Sequence, residues 1–189
     1  MSEPVIRCGW CLKDELYTRY HDEEWGVPVH SDSKLFEYLI LESFQAGLSW
    51  HTVLKKRENF RKAFAGFDAK RVSQFTDNDV KKLMLDSGII RHRLKILAAI
   101  NNAKLFLKIQ AEYGSFNSFI WKFTENRTLV NYPKKLSDLK SRSAESDAMS
   151  KELARLGFKF VGTTICYAFM QAIGMVNDHL IDCFARKSG

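Results

Sequence analysis

The sequence has few prolines and no long apolar run. Only three prolines occur in 189 residues, and no segment is of low complexity, which argues against long flexible linkers. No apolar stretch is long enough to span a bilayer, and the N-terminus does not resemble a signal peptide. We therefore expect a protein without membrane association, located in the cytoplasm or at the nucleoid.

Cysteine is also scarce. The four cysteines are Cys8, Cys11, Cys166 and Cys183. In a cytosolic chain such residues are more often metal ligands or buried thiols than disulfide partners. His179 and Cys183 are four residues apart, so on a helix they share one face, as half of a metal site requires. Cys8, Cys11 and His21 are candidates for the other half, and these ligand types suit Zn²⁺. The alternative is a buried cysteine near an unrelated histidine.

Acidic residues are outnumbered. The chain has 29 Lys and Arg against 22 Asp and Glu, a net charge of +7. Part of the excess is clustered, in residues 55–62 and again in residues 91–95. A positive surface either serves solubility or binds a polyanion such as nucleic acid, because neutralising phosphates releases counterions.

Helical periodicity dominates the chain, and strand alternation is almost absent, so the predicted fold class is all-α. The length allows one sizeable domain or two small helical lobes with a pocket between them. Residues 125–145 are aperiodic and are predicted to form a surface connection. Predicted helices cover residues 15–24, 32–44, 49–64, two short segments that begin at 68 and at 76 or 77, 91–113, 115–123, 146–156, 163–173 and 177–184.

Glu42 is a candidate functional residue. On the predicted helix over 32–44 it shares the largely apolar face of Leu35 and Leu39. A carboxylate on such a face needs a partner, a ligand or a shifted pKa, because burying an unpaired charge is costly. The alternative is an exposed glutamate at an ordinary helical corner.

The corner that follows Glu42 has a distinctive composition. Gly47 suits the left-handed position that ends a helix, and Ser49 suits the N-cap of the next helix. Leu48 is then at the tip of the turn, and Trp50 begins the next helix beside it. An acid, an apolar tip and a large aromatic residue so close together indicate a binding site, although Trp50 alone is equally typical of a core.

The segment Leu156 to Thr164 separates two predicted helices and contains Gly157 and Gly162. Glycines allow a tight hairpin, and free N–H groups at the start of the second helix could hold a phosphate. This layout is typical of a helix–hairpin–helix DNA-binding element. The alternative is an ordinary corner between two helices.

Several of these stretches together resemble bacterial 3-methyladenine DNA glycosylase I, from Arg7 to Cys183. The matching stretches are residues 7–10 (RCGW), 20–22 (YHD), 24–28 (EWGVP), 45–50 (QAGLSW), 54–59 (LKKREN), 88–93 (GIIRHR), 157–167 (GFKFVGTTICY) and 176–179 (VNDH). The resemblance implies a helix–hairpin–helix glycosylase fold, formed by residues 1–189 as one domain. It also implies a structural zinc that joins the N- and C-terminal segments.

The resemblance assigns roles to particular residues. The implied zinc ligands are Cys8, His21, His179 and Cys183, which leaves Cys11 outside the site. Glu42 is implied as the acid that recognises the base and as the catalytic candidate. The implied base-binding aromatics are Tyr17, Tyr20, Trp25 and Trp50. The implied DNA-binding residues are Gly47 and Leu48 at the tip and Gly157, Lys159, Gly162 and Thr163 at the hairpin.

Two residues, Phe44 and Cys11, depart from the family pattern, and Cys11 bears on the zinc assignment. Phe44 stands where the family carries a polar glutamine, and we expect this change to alter DNA contacts near the tip.

The implied activity is hydrolysis of the N-glycosidic bond of N3-methyladenine in double-stranded alkylated DNA, with free 3-methyladenine as product. The base must be flipped out of the duplex to be reached. Aromatic faces and a buried Glu42 complement the cationic base, and water is the expected nucleophile. Asn177 takes the place of the acid that related hairpin glycosylases carry, so pocket complementarity is expected to supply most of the rate.

No lysine is placed for a Schiff base, so we expect no strand cleavage. The protein is expected to act as a monomer. A DNA-binding module without catalysis is the rival hypothesis, but it does not require an acid among aromatic residues. A zinc hydrolase is excluded if four protein ligands leave no open position for water.

Overall fold

The computed structural model describes residues 5–188, and helices dominate them. The α-helices are α1 (Glu15–Glu23), α2 (Asp32–Gln45), α3 (Trp50–Lys55), α4 (Arg57–Ala63), α5 (Ala69–Ser73), α6 (Asp77–Leu85), α7 (Arg93–Tyr113), α8 (Phe116–Trp121), α9 (Ala144–Arg155) and α10 (Thr163–Ala172). Short 3₁₀ turns cover Gly9–Cys11, Ala65–Phe67, Lys122–Thr124, Leu136–Asp138 and Phe184–Ser188. Strands β1 (Leu129–Val130) and β2 (Val176–Asn177) pair in parallel. Among the described helices, none has the length and apolar character that crossing a membrane requires.

The mostly helical character predicted from the sequence is confirmed, and several predicted caps hold the helix starts. Asp14 accepts a hydrogen bond from the Tyr17 N–H, and Ser49 accepts one from Thr52. The predicted helix over 49–64 is interrupted at Lys56, whose φ of −99° and ψ of 0° separate α3 from α4. Helix α9 begins earlier than predicted because Ser143, not a later residue, is its N-cap.

The predicted helix over 177–184 is wrong. Val176 and Asn177 are extended because they pair with β1, where Leu129 N–H donates to Met175 O and Asn131 N–H donates to Asn177 O. The carbonyl oxygens of Met175 and Asn177 are thus used by the strand pairing and cannot accept the first hydrogen bonds of a helix. His179 and Cys183 therefore follow a strand and a turn and are not on one face of a helix.

Helix α2 runs through the centre of the fold and contacts α3, α7, α8 and α10. Every residue from Leu35 to Phe44 is buried, so even the polar side chains of this segment are enclosed. Phe44 is fully buried, with its ring centroid 4.7 Å from that of Phe60 and 5.7 Å from that of Phe64. The expectation that Phe44 alters DNA contacts is therefore not supported, because its side chain packs in the core.

The turn after α2 has the geometry that its composition predicts. Gly47 has a φ of +77°, in the left-handed region that glycine favours. Leu48 projects from this turn and is 43% exposed. The ammonium of Lys95 on α7 donates to Phe44 O at 2.8 Å and to Ala46 O at 2.5 Å, which fixes the end of α2.

Helices α9 and α10 pack against each other and are joined by residues 156–162. Gly157 has a φ of +98°, and its carbonyl accepts a hydrogen bond from Asn101. Asn102 accepts from the Lys159 N–H and donates to Lys159 O, both at 2.9 Å. The predicted tight connection is confirmed, and α7 fixes its shape through two asparagines.

Candidate active site and metal centre

Four buried side chains from the two ends of the described chain form a compact cluster. They are Cys8, His21, His179 and Cys183, and each offers one ligand atom within 4.8 Å of all the others. Cys8 precedes a 3₁₀ turn, His21 lies on α1, and the other two follow β2. The predicted ligand set is thus brought together, although the helical geometry from which half of it was inferred does not exist.

The distances between the ligand atoms fit a tetrahedrally coordinated ion. Sγ of Cys183 is 3.4 Å from Nε2 of His21 and 3.5 Å from Nδ1 of His179, and Sγ of Cys8 is 3.8 Å from the same Nδ1. Zinc bonds of about 2.3 Å to sulfur and about 2.0 Å to nitrogen give tetrahedral N···S edges of roughly 3.6 Å. The Cys₂His₂ donor set and its spacing therefore suit Zn²⁺.

Hydrogen bonds set the orientation of both imidazoles in the cluster. Nδ1 of His21 lies 2.7 Å from Oδ1 of Asp22, which is itself bound by Arg7. Nε2 of His179 lies 2.9 Å from the carbonyl oxygen of Trp25. Since carboxylate and carbonyl oxygens accept, the opposite nitrogen of each ring is left as the ligand.

Cys11 lies outside the cluster, as the resemblance implied. Its thiol donates to the carbonyl oxygen of Cys8 at 3.0 Å. Burial raises the pKa of this thiol to about 11, which keeps it neutral and unreactive at physiological pH.

A pocket of about 240 Å³ lies between α1, the α2–α3 corner and α10. We call it the base pocket, after the role that the family resemblance implies for its residues. Its lining residues are Trp10, Tyr17, Tyr20, Trp25, Glu42, Gln45, Trp50, Leu139, Lys140, Ala168 and Gln171. All five residues predicted to contact the base, including Glu42, therefore line one cavity.

The aromatic walls of the base pocket support one another edge to face. The Trp10 centroid is 4.8 Å from that of Tyr17 and 4.9 Å from that of Trp25. Tyr20 and Trp50 are 5.3 Å apart on the other side. Such packing holds the ring faces in place, so the pocket is formed before a ligand enters.

Glu42 is 2% exposed and lines this pocket. Its Oε2 atom has no hydrogen-bond partner among the described residues. Burial raises the pKa of the carboxyl well above its ordinary value. The sequence allows three outcomes for this carboxyl group, namely a partner residue, a ligand or a shifted pKa. No partner residue is found among the described residues, so a ligand or a bound proton must compensate the buried carboxyl group of Glu42.

Two further polar atoms of the base pocket are buried without a partner among residues 5–188. They are Oε1 of Gln45 and Nε1 of Trp50. Buried polar groups in proteins are almost always hydrogen-bonded, so three orphans in one cavity mark a ligand site. These atoms are two acceptors and one donor, so a ligand that pairs with all three must carry donors and an acceptor.

Sequence reasoning missed several residues of the base pocket. Trp10 and Gln45 belong to stretches that carry the family resemblance, so their position there was an available signal. Gln171 and Lys140 carry no local signal, because their distance from the α2–α3 corner along the chain is closed only by the fold. Among the described residues, Lys140 is the one lysine that lines the pocket, and its side chain is exposed to solvent, so the expectation that no lysine is placed for a Schiff base stays a prediction.

A larger cleft of about 540 Å³, lined in part by Glu24, Glu37 and Arg57, lies elsewhere. Arg57 donates to Glu24 and to Glu37 at 2.6 Å each, and Arg61 also contacts Glu37. The charges of Glu24, Glu37 and Arg57 are thus paired, and the ion pairs of Glu37 connect α2 to α4.

The predicted DNA-binding residues lie on two connected segments. Lys95, which binds the end of α2, has its ammonium 5.8 Å from the Phe160 ring centroid in the α9–α10 connection. The backbone N–H groups of Gly162, Thr163 and Thr164 donate to no described residue. The Thr163 hydroxyl, in contrast, donates to Asp147 at 2.5 Å.

Comparison with known proteins places this site in context. The chain matches the methyladenine glycosylase family over residues 10–186. It is 51% identical over 177 residues to the DNA-3-methyladenine glycosylase 1 of Escherichia coli K12, covering 94% of this chain and 95% of that protein. The crystal structure of a 3-methyladenine DNA glycosylase I superposes with a TM-score of 0.92 at 49% identity, covering 95% and 98% of the two chains. A Staphylococcus aureus 3-methyladenine DNA glycosylase I, solved to explain recognition of 3-methyladenine, also reaches 0.92, at 38% identity and covering 95% and 96%.

Proposed function

The chain belongs to the methyladenine glycosylase family, and on that premise we propose that it excises N3-methyladenine from double-stranded alkylated DNA. It is accordingly an enzyme, a hydrolase of N-glycosyl bonds that acts in the repair of alkylation damage. We further propose that the whole chain is a single glycosylase domain of the helix–hairpin–helix type.

One observation carries the substrate assignment. The base pocket combines aromatic walls with three unpartnered polar atoms, one of them on a buried glutamate. N3-methyladenine in DNA is formally cationic, and each aromatic face attracts such a cation by roughly 0.5–2 kcal/mol. Its exocyclic amine supplies the donors that Glu42 and Gln45 lack, and a ring nitrogen accepts from the indole N–H of Trp50.

Glu42 recognises the charge of the base. In the free pocket its raised pKa favours the protonated form, because burial penalises the carboxylate. A cationic base beside it favours the carboxylate, so lesion binding and loss of the Glu42 proton are coupled. A neutral adenine offers no such compensation, and this difference separates the damaged base from the normal one.

The glycosidic bond is broken by water without a dedicated general base. Asn177, at the expected position of an acid, accepts a hydrogen bond from the His179 N–H at 3.2 Å. The neighbouring Asp178 already accepts three hydrogen bonds. An alkylated purine is a good leaving group, so binding that is tighter in the transition state than in the ground state suffices to accelerate its loss.

DNA is held by two segments. Leu48 fills the space that the flipped nucleotide leaves, as apolar wedges do in other DNA-bending proteins. The free N–H groups at the start of α10 bind a backbone phosphate, and the exposed Lys159 adds positive charge. These contacts position the duplex so that the extruded base enters the base pocket.

Cys8, His21, His179 and Cys183 would hold a structural Zn²⁺. With four protein ligands no position is open for a reacting water, so the ion would stabilise the fold and take no part in the reaction. It would connect the segment before α1 to the segment after β2. Trp10 packs against His21 and Trp25 packs against His179, and both tryptophans line the base pocket.

Base release from methylated DNA tests the proposal. The purified protein, incubated with methylated duplex DNA, should release free 3-methyladenine, separated by chromatography, and leave abasic sites. DNA binding without base release would favour the DNA-binding module instead.

A further inference from the structure

A buried carboxylate lies behind one wall of the base pocket and is held by neutral groups. Asp178 is 1% exposed. Its Oδ1 accepts from Asn131 Nδ2 at 2.7 Å, and its Oδ2 accepts from the Tyr167 hydroxyl at 2.8 Å and from Gln171 Nε2 at 2.7 Å. Of these three donors, Gln171 also lines the base pocket.

The contact with Asp178 determines which end of the Gln171 amide faces the pocket. An oxygen of a carboxylate that is already bound by a hydroxyl accepts hydrogen bonds, so the NH₂ group of Gln171 must face it. The carbonyl oxygen Oε1 is then directed away from Asp178 and receives no hydrogen bond from any described residue. The amide therefore offers the pocket an acceptor.

This acceptor matches the other polar groups of the base pocket. Oε2 of Glu42 and Oε1 of Gln45 are also acceptors without partners among the described residues. A negative charge behind the amide polarises it, and hydrogen bonds in such chains strengthen one another. The pocket is thus biased toward a ligand that carries donors and positive charge.

We infer that Asp178 is a positioning residue, which holds Gln171 so that its carbonyl oxygen accepts a hydrogen bond from the exocyclic amine of the bound base. The inference rests on the proposed function, because the ligand is the base that this function assigns to the pocket. It adds a polar contact from α10 to those that α2 and α3 supply.

A double-mutant cycle tests the link between the two residues. Free 3-methyladenine is titrated against the wild type, Gln171→Met, Asp178→Asn and the double variant, with the dissociation constant followed by NMR. Gln171→Met should weaken binding about tenfold, the loss of one good hydrogen bond. Asp178→Asn should weaken it severalfold in the wild-type background but less than about twofold when Gln171 is already Met. Equal losses in both backgrounds would overturn the inference, because they show that Asp178 acts without Gln171.

Two further measurements separate positioning from folding. Asp182→Asn is the matched control, since Asp182 is an exposed acid beside the ligand Cys183 as Asp178 is beside His179. It should retain wild-type zinc content and base affinity. If Asp178→Asn does not fold, the wild type still tests the inference through the side-chain ¹⁵N signal of Gln171. This signal should shift on addition of 3-methyladenine. An unshifted signal overturns the inference.

Failure of the inference differs from failure of the proposed function. A wild-type protein that neither binds nor releases 3-methyladenine refutes the proposed function itself. A wild type that does both, with Gln171→Met binding the base equally well, refutes only the role of Gln171 and Asp178.

Discussion

Replacing Glu42 by glutamine should make the protein more stable and less active. The change keeps the size of the side chain and one acceptor but removes an ionisable carboxyl group whose charged form is disfavoured by burial and has no partner among the described residues. Each pH unit above the unfolded pKa, up to the folded pKa, costs the wild type about 1.4 kcal/mol of stability, because the unfolded chain has lost a proton that the folded protein keeps. We therefore expect a gain of at least about 1 kcal/mol at neutral pH, which raises Tm by roughly 2–4 °C in a domain of this size.

The gain in stability should depend on pH in a defined direction. Burial raises the pKa of Glu42 above its ordinary value of 4.5, so the unfolded chain loses this proton at a lower pH than the folded protein does. The wild type is therefore destabilised only above the unfolded pKa, and the penalty grows as the pH rises toward the folded pKa. Below pH 4.5 both states are protonated, and the Tm difference between variant and wild type should vanish.

Glu37 on the same helix provides a control of opposite sign. Its carboxylate is paired with Arg57 at 2.6 Å and with Arg61 at 2.8 Å. Breaking a buried ion pair leaves an uncompensated charge, which costs about 3–5 kcal/mol when the pair is fully buried and less here, where Arg61 is partly exposed. Glu37→Gln should therefore lower Tm and leave the affinity for 3-methyladenine unchanged.

Three measurements on one Glu42→Gln preparation decide the role of this residue. They are the Tm as a function of pH, the dissociation constant of free 3-methyladenine by NMR, and the excision rate. We expect a higher Tm, weaker base binding and slower excision. A lower Tm with unchanged base affinity would refute the reasoning, because it would show that Glu42 is a structural partner and not a pocket residue. Loss of excision with unchanged affinity would instead identify Glu42 as a general base.

Other predictions follow from the Cys₂His₂ cluster, the proposed DNA-binding segments and Lys140. Metal analysis should find one zinc in Cys11→Ala and none in Cys183→Ala, whose Tm should fall; zinc lost from Cys11→Ala would contradict the ligand assignment. Gly162→Asp should weaken binding to all DNA sequences at least tenfold, whereas Gly162→Ala, whose methyl group meets no atom within 4 Å, should bind normally. Leu48→Ala should slow excision more than it weakens non-specific binding, and equal small effects would argue against the wedge. Borohydride should trap no covalent complex with DNA, because the exposed Lys140 is not desolvated as Schiff-base lysines are, and a trapped adduct would show strand-cleaving chemistry.

Much of the local structure could be predicted from short sequence windows. Helix starts at residues such as Ser49 and Asp14 depend on a side chain and the backbone N–H three residues later, so a short window contains the whole interaction. Gly47 likewise ends α2 because of its own backbone freedom. These are interactions within one turn, and their energies do not depend on the rest of the fold.

The conformation of the residues from Val176 onward depends on contacts with a distant segment. Local spacing favoured a helix over 177–184, but pairing with β1, nearly fifty residues earlier, made Val176 and Asn177 extended. His179 and Cys183 nevertheless meet Cys8 and His21, because a turn can bring two side chains together as well as a helix can. The ligand set came from the family resemblance, whereas its geometry came from contacts that no local pattern contains.

The chemistry of the base pocket also depends on distant segments. The sequence placed Glu42 on an apolar face, but only the packing of α2 among its neighbours shows that its Oε2 atom has no partner in the described structure. Gln171 and Asp178 are seven residues apart, and their hydrogen bond exists because β2 directs the chain back beside α10. Burial and hydrogen-bond satisfaction are properties of all surrounding segments at once, so they are fixed only when the chain has folded.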